Sequence, residues 1–407
     1  MAWERSDMDF RFTDKELAWR DEVEEFIKRE LPPRWAEDSL SWPGGYGIIS
    51  IFEEHLKDAC RDLWRKLGKK GWLSMGWPGW PGEKYTHTER AIYGDIMSYY
   101  GAPAGNIATG IGAGTIIMFG SEQMKKEWLP KIADGELSFW LAYSEPNAGS
   151  DLASLQTSAV EDGDDLVING SKIWGSGAHV SDCAWMVVRT DPRATKKYQG
   201  ITMLIVPNDA PGIEIRPLIN ICGIHSFNEV FFDNVRVSKK NIVGEMHQGW
   251  YYLMVALGFE RLAVPLGGFR RTLEQLVRYT KETMRNGKPL SKDPLVRSRL
   301  ADIATKIEIV GKFYWQIAWK GDRGIDSETD ASIAKLVSTE ISKDLAFAAM
   351  DIMSPYGQLA TDSKWAPLAG RVQLGYLDCI SALVGAGTNE IQRNIIAQRG
   401  LGLPRGK

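Results

Sequence analysis

The sequence lacks the features that mark membrane, secreted and nucleic-acid-binding proteins. No stretch approaches the roughly 18 uninterrupted apolar residues that a membrane-spanning helix needs. The N-terminus is charged from its fourth residue and holds no apolar core of the kind found in signal peptides. The whole chain has 49 Lys and Arg residues against 52 Asp and Glu residues, which gives a net charge of −3. This charge gives no electrostatic reason to expect a nucleic-acid partner. We therefore expect neither a membrane nor a nucleic-acid partner.

Cysteine is scarce, and the sequence lacks recognisable metal or nicotinamide motifs. The four cysteines form no C-x-x-C pair, which favours reduced thiols and a cytoplasmic location. No His, Cys or Asp cluster has metal-ligand spacing, so no metal site is predicted. His225 is interpreted as a structural or turn residue rather than a ligand or base. No G-x-G-x-x-G follows a strand and opens a helix, so a nicotinamide cofactor is not supported.

The 407 residues are too many for one small core and predict two or three domains. Residues 1–136 have helical patterns, and Thr13 is predicted to cap the first helix. Residues 137–246 hold short β-prone runs separated by turn residues, which predicts a small β-barrel or sandwich. Within this part, GDDLVINGSKIW predicts two strands joined by a turn at Asn169 and Gly170. Residues 247–407 hold successive long helical patterns, which predict a bundle. The fold class is therefore α+β.

Two short motifs are the most informative parts of the chain. Residues 141–151, LAYSEPNAGSD, place small residues and a Ser-Glu-Pro turn where a chain must pass close to a flat ligand. Residues 386–392, AGTNEIQ, place Gly-Thr at the start of a helix, and Thr388 is predicted to be its N-cap. Turn and cap preferences explain each motif alone. The motifs lie more than two hundred residues apart, so local composition does not explain both.

Together with residues 172–176, KIWGS, these motifs resemble the flavin and thioester sites of the acyl-CoA dehydrogenase family. The resemblance covers nearly the whole chain and implies a helical N-terminal domain, a central β domain and a C-terminal four-helix bundle. It implies FAD as cofactor and α,β-dehydrogenation of an acyl-CoA thioester to the trans-2-enoyl-CoA. It also implies an electron-transferring flavoprotein as electron acceptor. The same resemblance implies a homotetramer, or a hetero-tetramer with a related subunit.

The resemblance also implies roles for individual residues. The implied flavin contacts are Tyr143, Ser144, Ser150, Trp174, Gly175, Ser176, Thr388 and Glu390. The implied acyl-CoA contacts are Ser150, Tyr251, Arg261, Ala386 and Gly387. Family members more often have Trp-Ile-Thr where this chain has Trp174-Gly175-Ser176, which is a mild departure.

The catalytic base needs an argument of its own. Many family members carry it as a glutamate just before Gly-Thr, but Ala386 stands there in this chain and cannot remove a proton. The isovaleryl- and long-chain branches carry the base on an earlier helix, just before an arginine, and that position here is Glu260, followed by Arg261. The resemblance therefore implies Glu260 as the base. The alternative is that Glu260 pairs with a cation on a solvated helix face. The backbone N–H of Ala386 can still serve the developing enolate oxygen.

Two further departures leave the assembly open. Arg285 and the residues after it, RNGKP, stand where many members have Arg-x-x-Phe-Gly, and residues 351–355, DIMSP, stand where many have Gln-x-x-Gly-Gly. In the family both elements hold the adenine half of FAD across a subunit interface, and bacterial relatives built from two different subunits show similar losses. One alternative is therefore a non-catalytic or half-site subunit, and another is an oxidase relative that uses oxygen. Small residues at Gly258 and Ala386 are compatible with a branched or cyclic acyl group.

Overall fold

A computed structural model describes residues 11–33, 35, 54–82, 84–259 and 264–404. The chain divides into two compact units. The sheet unit lies within Ile48–Lys84 and Pro103–Arg261, and the bundle unit lies within Met1–Gly47, Tyr85–Ala102 and Leu262–Lys407. The predicted order of helical, β and helical segments is confirmed, and the boundaries at residues 136 and 246 stay a prediction.

The chain alternates between helical and strand-rich parts. The helices are α1 (Asp14–Glu30), α2 (Lys57–Lys69), α3 (His87–Tyr100), α4 (Ala113–Phe119), α5 (Glu122–Ala133), α6 (Gly249–Phe259), α7 (Leu266–Glu282), α8 (Pro294–Asp322), α9 (Glu328–Met353), α10 (Arg371–Asp378), α11 (Ser381–Val384) and α12 (Asn389–Ile395). The strands are β1 (Phe139–Ala142), β2 (Ser158–Asp162), β3 (Asp165–Lys172), β4 (Cys183–Arg189), β5 (Ile201–Pro207), β6 (Ile213–Ile219), β7 (His225–Ser238), β8 (Met284–Arg285) and β9 (Lys288–Pro289). None of the described helices is both long and apolar enough to cross a membrane.

Strands β1 to β7 form one curled sheet, in the part of the chain predicted to hold a small β-barrel or sandwich. One edge of β4 pairs with β5 along its whole length. The other edge pairs with β1 in parallel and then meets β2 where Ser158 lies opposite Arg189. Strands β2, β3, β7 and β6 follow as antiparallel neighbours. Two strands therefore share one edge of β4, which lets the sheet curl.

β4 is buried on both faces because its side chains alternate between two cores. Trp185 packs in a cluster with side chains of α4, α5 and α6, including Ile116 and Leu253. Met186 points to the other face and packs with side chains of β3 and β7 such as Val230. A strand covered on both faces has a nearly continuous apolar sequence instead of an alternating one. This accounts for the run CAWMVV in β4.

The predicted Asn-Gly turn is wrong, because β3 runs straight through Asn169 and Gly170. The hairpin between β2 and β3 turns at residues 163 and 164 instead. Gly170 has a φ of 142°, and the β3–β7 register shifts beside it, as in a β-bulge. A Cβ at this position would lie 2.8 Å from Thr157. The glycine is therefore required by a bulge and a close approach, both of which are tertiary.

The bundle unit buries its apolar faces in one core shared by α3, α7, α8 and α9. Ala91, Phe269, Val310 and Leu345 each contribute from one of these helices. Thr13 caps α1 as predicted: its hydroxyl accepts from the N–H of Glu16, whose carboxylate accepts from the Thr13 N–H in return.

Candidate functional site

The loop after β1 begins with the predicted turn. Glu145 and Ala148 exchange two backbone hydrogen bonds of 3.0 Å, which leaves the two residues between them exposed at the tip. Ser144 precedes the turn and is partly buried. Its carbonyl accepts a 2.9 Å hydrogen bond from the N–H of Ile173. This bond joins the loop to the KIWGS segment, so the structure brings the two sheet-unit motifs together.

A buried ion pair makes a second connection between the two motifs. Lys172 is completely buried, and its Nζ lies 2.8 Å from Glu145 Oε1 and 3.1 Å from the carbonyl oxygen of Tyr143. The Glu145 carboxylate also accepts from the backbone N–H groups of Gln156 at 2.6 Å and Thr157 at 2.9 Å. A buried charge is tolerated only when it is paired and hydrogen-bonded, as both charges are here.

The pKa shifts of the pair follow from this geometry. Burial lowers the pKa of Lys172 to about 8, and the charge of Glu145 limits that fall. Burial acts to raise the pKa of Glu145, but Lys172 and the Gln156 and Thr157 donors outweigh it, so this pKa lies below its usual value. Each group therefore favours the charged form of the other.

Trp174 breaks the pairing of this segment with β7. Lys172 lies opposite Val230, so an unbroken register would place Trp174 opposite Asn228. Instead the N–H of Gly175 donates to the Asn228 carbonyl at 2.9 Å, so one residue has been inserted. Trp174 has a φ of 61°, uncommon for a bulky residue, and its side chain is 58% exposed. The insertion therefore leaves a large flat side chain exposed on the sheet unit.

Gly175 is a glycine because it packs directly on Trp140. A Cβ at position 175 would lie 2.8 Å from the Trp140 ring, closer than real Cβ contacts. Trp140 is 1% exposed, and its indole N–H donates to Asn208 Oδ1 at 2.9 Å, so the ring cannot move aside. A larger residue at position 175 does not fit above this indole. The neighbouring Ser176 is partly buried.

The remaining predicted residues of the sheet unit lie near its surface. Ser150 is exposed and precedes Asp151, whose carboxylate lies 2.8 Å from Lys197 Nζ. Tyr251 lies in α6 with its side chain 58% exposed, and its ring meets Phe119 edge-on at 5.6 Å between centroids. Both residues can therefore contact a ligand.

In the bundle unit, residues 386–388 form a tight turn before α12. Ala386 and Gly387 are exposed and have positive φ angles of 51° and 79°. Thr388 caps α12 as predicted, because its hydroxyl accepts from the N–H of Ile391 at 3.2 Å. No described residue accepts a hydrogen bond from the Ala386 N–H. The turn therefore displays a backbone donor at the surface of this unit.

α12 is anchored by the residue after its cap. Asn389 is 3% exposed, and its side-chain oxygen accepts from Lys335 Nζ and Thr339 Oγ1, both at 3.0 Å. Glu390 is exposed, with its carboxylate 3.7 Å from Arg393. Asn389 thus anchors the helix to α9, while the predicted ligand contact Glu390 is exposed.

Two predicted residues, Glu260 and Arg261, lie outside the described part of the chain. Their roles as catalytic base and substrate contact therefore stay predictions.

The two segments of the bundle unit that depart from the family's sequence pattern contact each other. Arg285 donates to the carbonyl of Ile352 at 3.0 Å, near the end of α9. Asp351, in the same turn, lies 3.3 Å from Arg299. Ser354 then takes a φ of 55°, in the region that favours glycine, at the segment where many relatives have Gly-Gly. The Arg285 guanidinium is thus bound to the C-terminus of a helix of its own chain.

Comparison with known proteins identifies the family. Three family models match: the acyl-CoA dehydrogenase N-terminal domain at residues 13–136, the middle domain at 141–235 and the C-terminal domain at 247–401. The acyl-CoA dehydrogenase FadE26 of Mycobacterium tuberculosis is 33% identical over 408 residues, which cover 98% of this chain and 99% of that protein. The chain belongs to the acyl-CoA dehydrogenase family.

Solved structures of the family have the same fold. The Tcur3481-Tcur3483 steroid ACAD matches with a TM-score of 0.87 and 31% identity, and the ChsE4-ChsE5 complex from Mycobacterium tuberculosis with 0.86 and 32%. Each match covers 98% of this chain and 100% of the other. The predicted architecture is therefore confirmed as a helical N-terminal domain, a curled β-sheet middle domain and a helical C-terminal region. The protein is an FAD-dependent oxidoreductase of this family, as predicted.

The described residues fit the ring end of FAD. Trp174 presents an exposed indole whose backbone is hydrogen-bonded on both sides, through Ile173 and Gly175. Ser144 and Ser176 beside it are small and polar. A flat, firmly held surface with nearby hydroxyls suits an isoalloxazine ring, which is planar with polar edges.

Two features of this site are not visible from the sequence. The Lys172–Glu145 pair joins residues 27 apart, and nothing local marks either one as buried. Asn228 is a strand residue whose bonds to Gly175 depend on the inserted Trp174. The resemblance places the two motifs together but predicts neither contact, and Asn228 lies outside both motifs.

Proposed function

We propose that this chain oxidises an acyl-CoA thioester to the trans-2-enoyl-CoA, with Glu260 as the base. The Glu260 carboxylate removes the α-proton, and the Ala386 N–H donates to the thioester oxygen as negative charge develops there. FAD, when bound, supplies the acceptor for the β-hydrogen, which leaves as hydride while the double bond forms. The exposed N–H of the Ala386 turn, which has no described protein acceptor, supports its part in this reaction.

The flavin ring is proposed to lie against the sheet-unit motifs. Tyr143 and Gly175 shape the surface, while Trp174 supplies its flat face and Ser144 and Ser176 supply polar groups. Thr388 and Glu390 are also proposed to contact the cofactor. The observation that carries this proposal is the exposed Trp174, held in an uncommon backbone conformation between two hydrogen-bonded neighbours.

The acyl-CoA is proposed to contact Ser150, Tyr251, Arg261, Ala386 and Gly387. The described members of this set, all except Arg261, are exposed, as ligand contacts must be. One similar structure is named a steroid ACAD. We therefore extend the proposal to a bulky cyclic acyl group, for which Tyr251 offers an exposed aromatic surface.

The proposed electron acceptor is an electron-transferring flavoprotein, and the proposed location is the cytoplasm. A tetramer is proposed, either of this chain alone or with a related subunit. Large apolar side chains exposed on the bundle unit, such as Trp365 at 69% and Leu401 at 70%, support burial in an assembly.

A half-site subunit is the second candidate, and one specific observation favours it. The Arg285 side chain is bound to the Ile352 carbonyl of its own chain instead of extending freely, and the adjoining segment lacks the family's Gly-Gly. In addition, two of the similar structures carry names that pair two components. In that case this chain supplies one part of a flavin site and a related subunit supplies the rest.

A visible absorption spectrum of the purified chain, followed by anaerobic addition of acyl-CoA thioesters, tests the proposal. The panel contains straight-chain, branched and steroid-derived acyl groups. A flavin spectrum that bleaches with one class supports the dehydrogenase and identifies the substrate class. Protein that stays colourless after FAD is supplied, yet co-purifies with a yellow relative, supports the half-site subunit. Rapid oxygen consumption without another acceptor supports the oxidase alternative.

A further inference from the structure

Asn228 is fully buried in β7 and bonds the flavin-facing segment through both its main chain and its side chain. Its carbonyl oxygen accepts from the N–H of Gly175 at 2.9 Å. Its side-chain Nδ2 donates to the carbonyl oxygen of Gly175 at 2.8 Å. One residue therefore satisfies both backbone groups of Gly175, immediately after the inserted Trp174.

Two stacked histidines hydrogen-bond the two ends of the Asn228 amide. The rings of His179 and His225 stack with centroids 3.8 Å apart and an angle of 17° between their planes. Asn228 Oδ1 lies 2.7 Å from His225 Nε2, and Asn228 Nδ2 lies 3.0 Å from His179 Nδ1. The Gly175 carbonyl can only accept, so the amide nitrogen must face it. It follows that His225 Nε2 carries a proton and donates, whereas His179 Nδ1 is an acceptor.

The bonds of Asn228 complete the restraint on Trp174. A non-glycine residue with a φ of 61° is strained and persists only where its surroundings determine it. On one side, the N–H of Ile173 is held by the carbonyl of Ser144. On the other side, Gly175 is held at two points by Asn228. Removing the hydrogen bond from the Asn228 side chain to the Gly175 carbonyl lets the Trp174 backbone relax.

We propose that Asn228, oriented by His179 and His225, is a positioning residue that holds Trp174 in the conformation that receives the flavin. The inference rests on the proposed role of residues 174–176 as a flavin contact. Asn228 acts through Gly175 and Trp174 and has no direct part in the chemistry.

FAD titration of the full-length apoprotein, followed by flavin fluorescence, tests the proposal with the variant Asn228→Asp. This change keeps the shape of the side chain but replaces the donor to Gly175 with an acceptor. The Kd for FAD is expected to rise about 10- to 100-fold, the range for a buried polar group that loses its partner. Asn169→Asp is the matched control: it makes the same chemical change on neighbouring β3, where Asn169 bonds the exposed Asn234. Its Kd is expected to match the wild-type value.

Two further readouts separate positioning from simple destabilisation. In the FAD-loaded protein, Asn228→Asp is expected to shift the flavin midpoint potential and change the shape of its visible band. In the apoprotein, hydrogen exchange of residues 173–177 is expected to accelerate while β4 and β5 stay protected. His225→Phe keeps the ring stack but removes the donor to Asn228, and it should produce the same changes to a smaller extent. His225→Phe replaces Asn228→Asp in both tests if Asn228→Asp does not fold.

The outcomes distinguish this inference from the proposed function. Suppose that the wild type binds FAD, that Asn228→Asp and His225→Phe bind FAD with a Kd within twofold of the wild-type value, and that their flavin spectra are unchanged. The positioning role of Asn228 is then wrong. If the wild type binds no FAD in any form, the proposed flavin site is wrong. In that case hydrogen exchange still tests whether Asn228 restrains the Trp174 backbone. Unchanged protection of residues 173–177 in Asn228→Asp and His225→Phe overturns that restraint.

Discussion

The two segments proposed to take part in the reaction are built in different ways. In the sheet unit, residues 143–151 and 172–176 are joined by the backbone hydrogen bond from Ile173 to Ser144 and by the buried Lys172–Glu145 pair. Asn228 in turn holds Gly175. In the bundle unit, Ala386 and Gly387 are exposed, and the turn depends on the Thr388 cap and on two long contacts, of 3.4 and 3.5 Å, from Gln392 Nε2. The sheet-unit segments are held by tertiary contacts of their own residues. The turn is held by a local cap, and the helix that follows it is anchored to α9 through Asn389.

This difference affects how each segment tolerates amino-acid substitutions. Each strained residue in the sheet unit has several partners, so the loss of a distant buried group, such as Lys172, should be felt at the site. At the Ala386 turn, the cap of Thr388 and the Asn389 contacts with α9 should matter most. The sheet unit thus provides a preformed surface, while the turn provides backbone donors.

The largest expected effect is at Glu260 and tests whether this residue is the catalytic base. Glu260→Gln should slow flavin reduction by acyl-CoA about 10²- to 10⁴-fold, the usual contribution of a general base. FAD should remain bound, because the amide has nearly the same shape. Anaerobic stopped-flow absorbance measures the rate, with exposed Glu245→Gln as the matched control. Normal reduction by Glu260→Gln would mean that the base lies elsewhere.

The next largest effect compares two ion pairs attached to the same loop. Lys172→Met leaves Glu145 buried without its cation and should lower the free energy of unfolding by about 3–5 kcal/mol. Lys197→Met breaks the exposed pair with Asp151 and should leave the urea midpoint unchanged, because water screens both charges. Equal midpoints for the two variants would show that the loop does not depend on the buried pair.

The acid dependence of stability should report the same pair. The folded-state pKa of Glu145 lies below its usual value of 4.5, so the folded protein binds this proton less readily than the unfolded chain. Its contribution to stability is therefore complete above about pH 4.5 and is lost as the pH falls through the folded-state pKa. The stability difference between wild type and Glu145→Gln should accordingly shrink as the pH falls below about 4.5. A difference that grows below pH 4.5 contradicts this assignment.

The sequence predicts this fold and site to the extent that local preferences determine them. Thr13 and Thr388 were predictable as caps because a cap needs only its own hydroxyl and an N–H three residues on. The Asn169-Gly170 turn was wrong because the same dipeptide serves a bulge when a neighbouring strand continues past it. The resemblance predicted the Trp174 segment and the cofactor. Neither it nor the local pattern predicted Gly175 on Trp140, a contact between residues that meet only in the folded sheet.

The smallest effect distinguishes a helix cap from a ligand contact. Thr388→Ala and Ser121→Ala each remove an N-cap hydroxyl, the first from α12 in the bundle unit and the second from α5 in the sheet unit. Each should lower the free energy of unfolding by about 1 kcal/mol, because each leaves one helix N–H without its acceptor. If Thr388 also contacts the flavin, only Thr388→Ala should weaken FAD binding as measured by fluorescence titration. If both variants bind FAD as tightly as the wild type, Thr388 is a cap alone, and the contribution of the turn is reduced to its backbone.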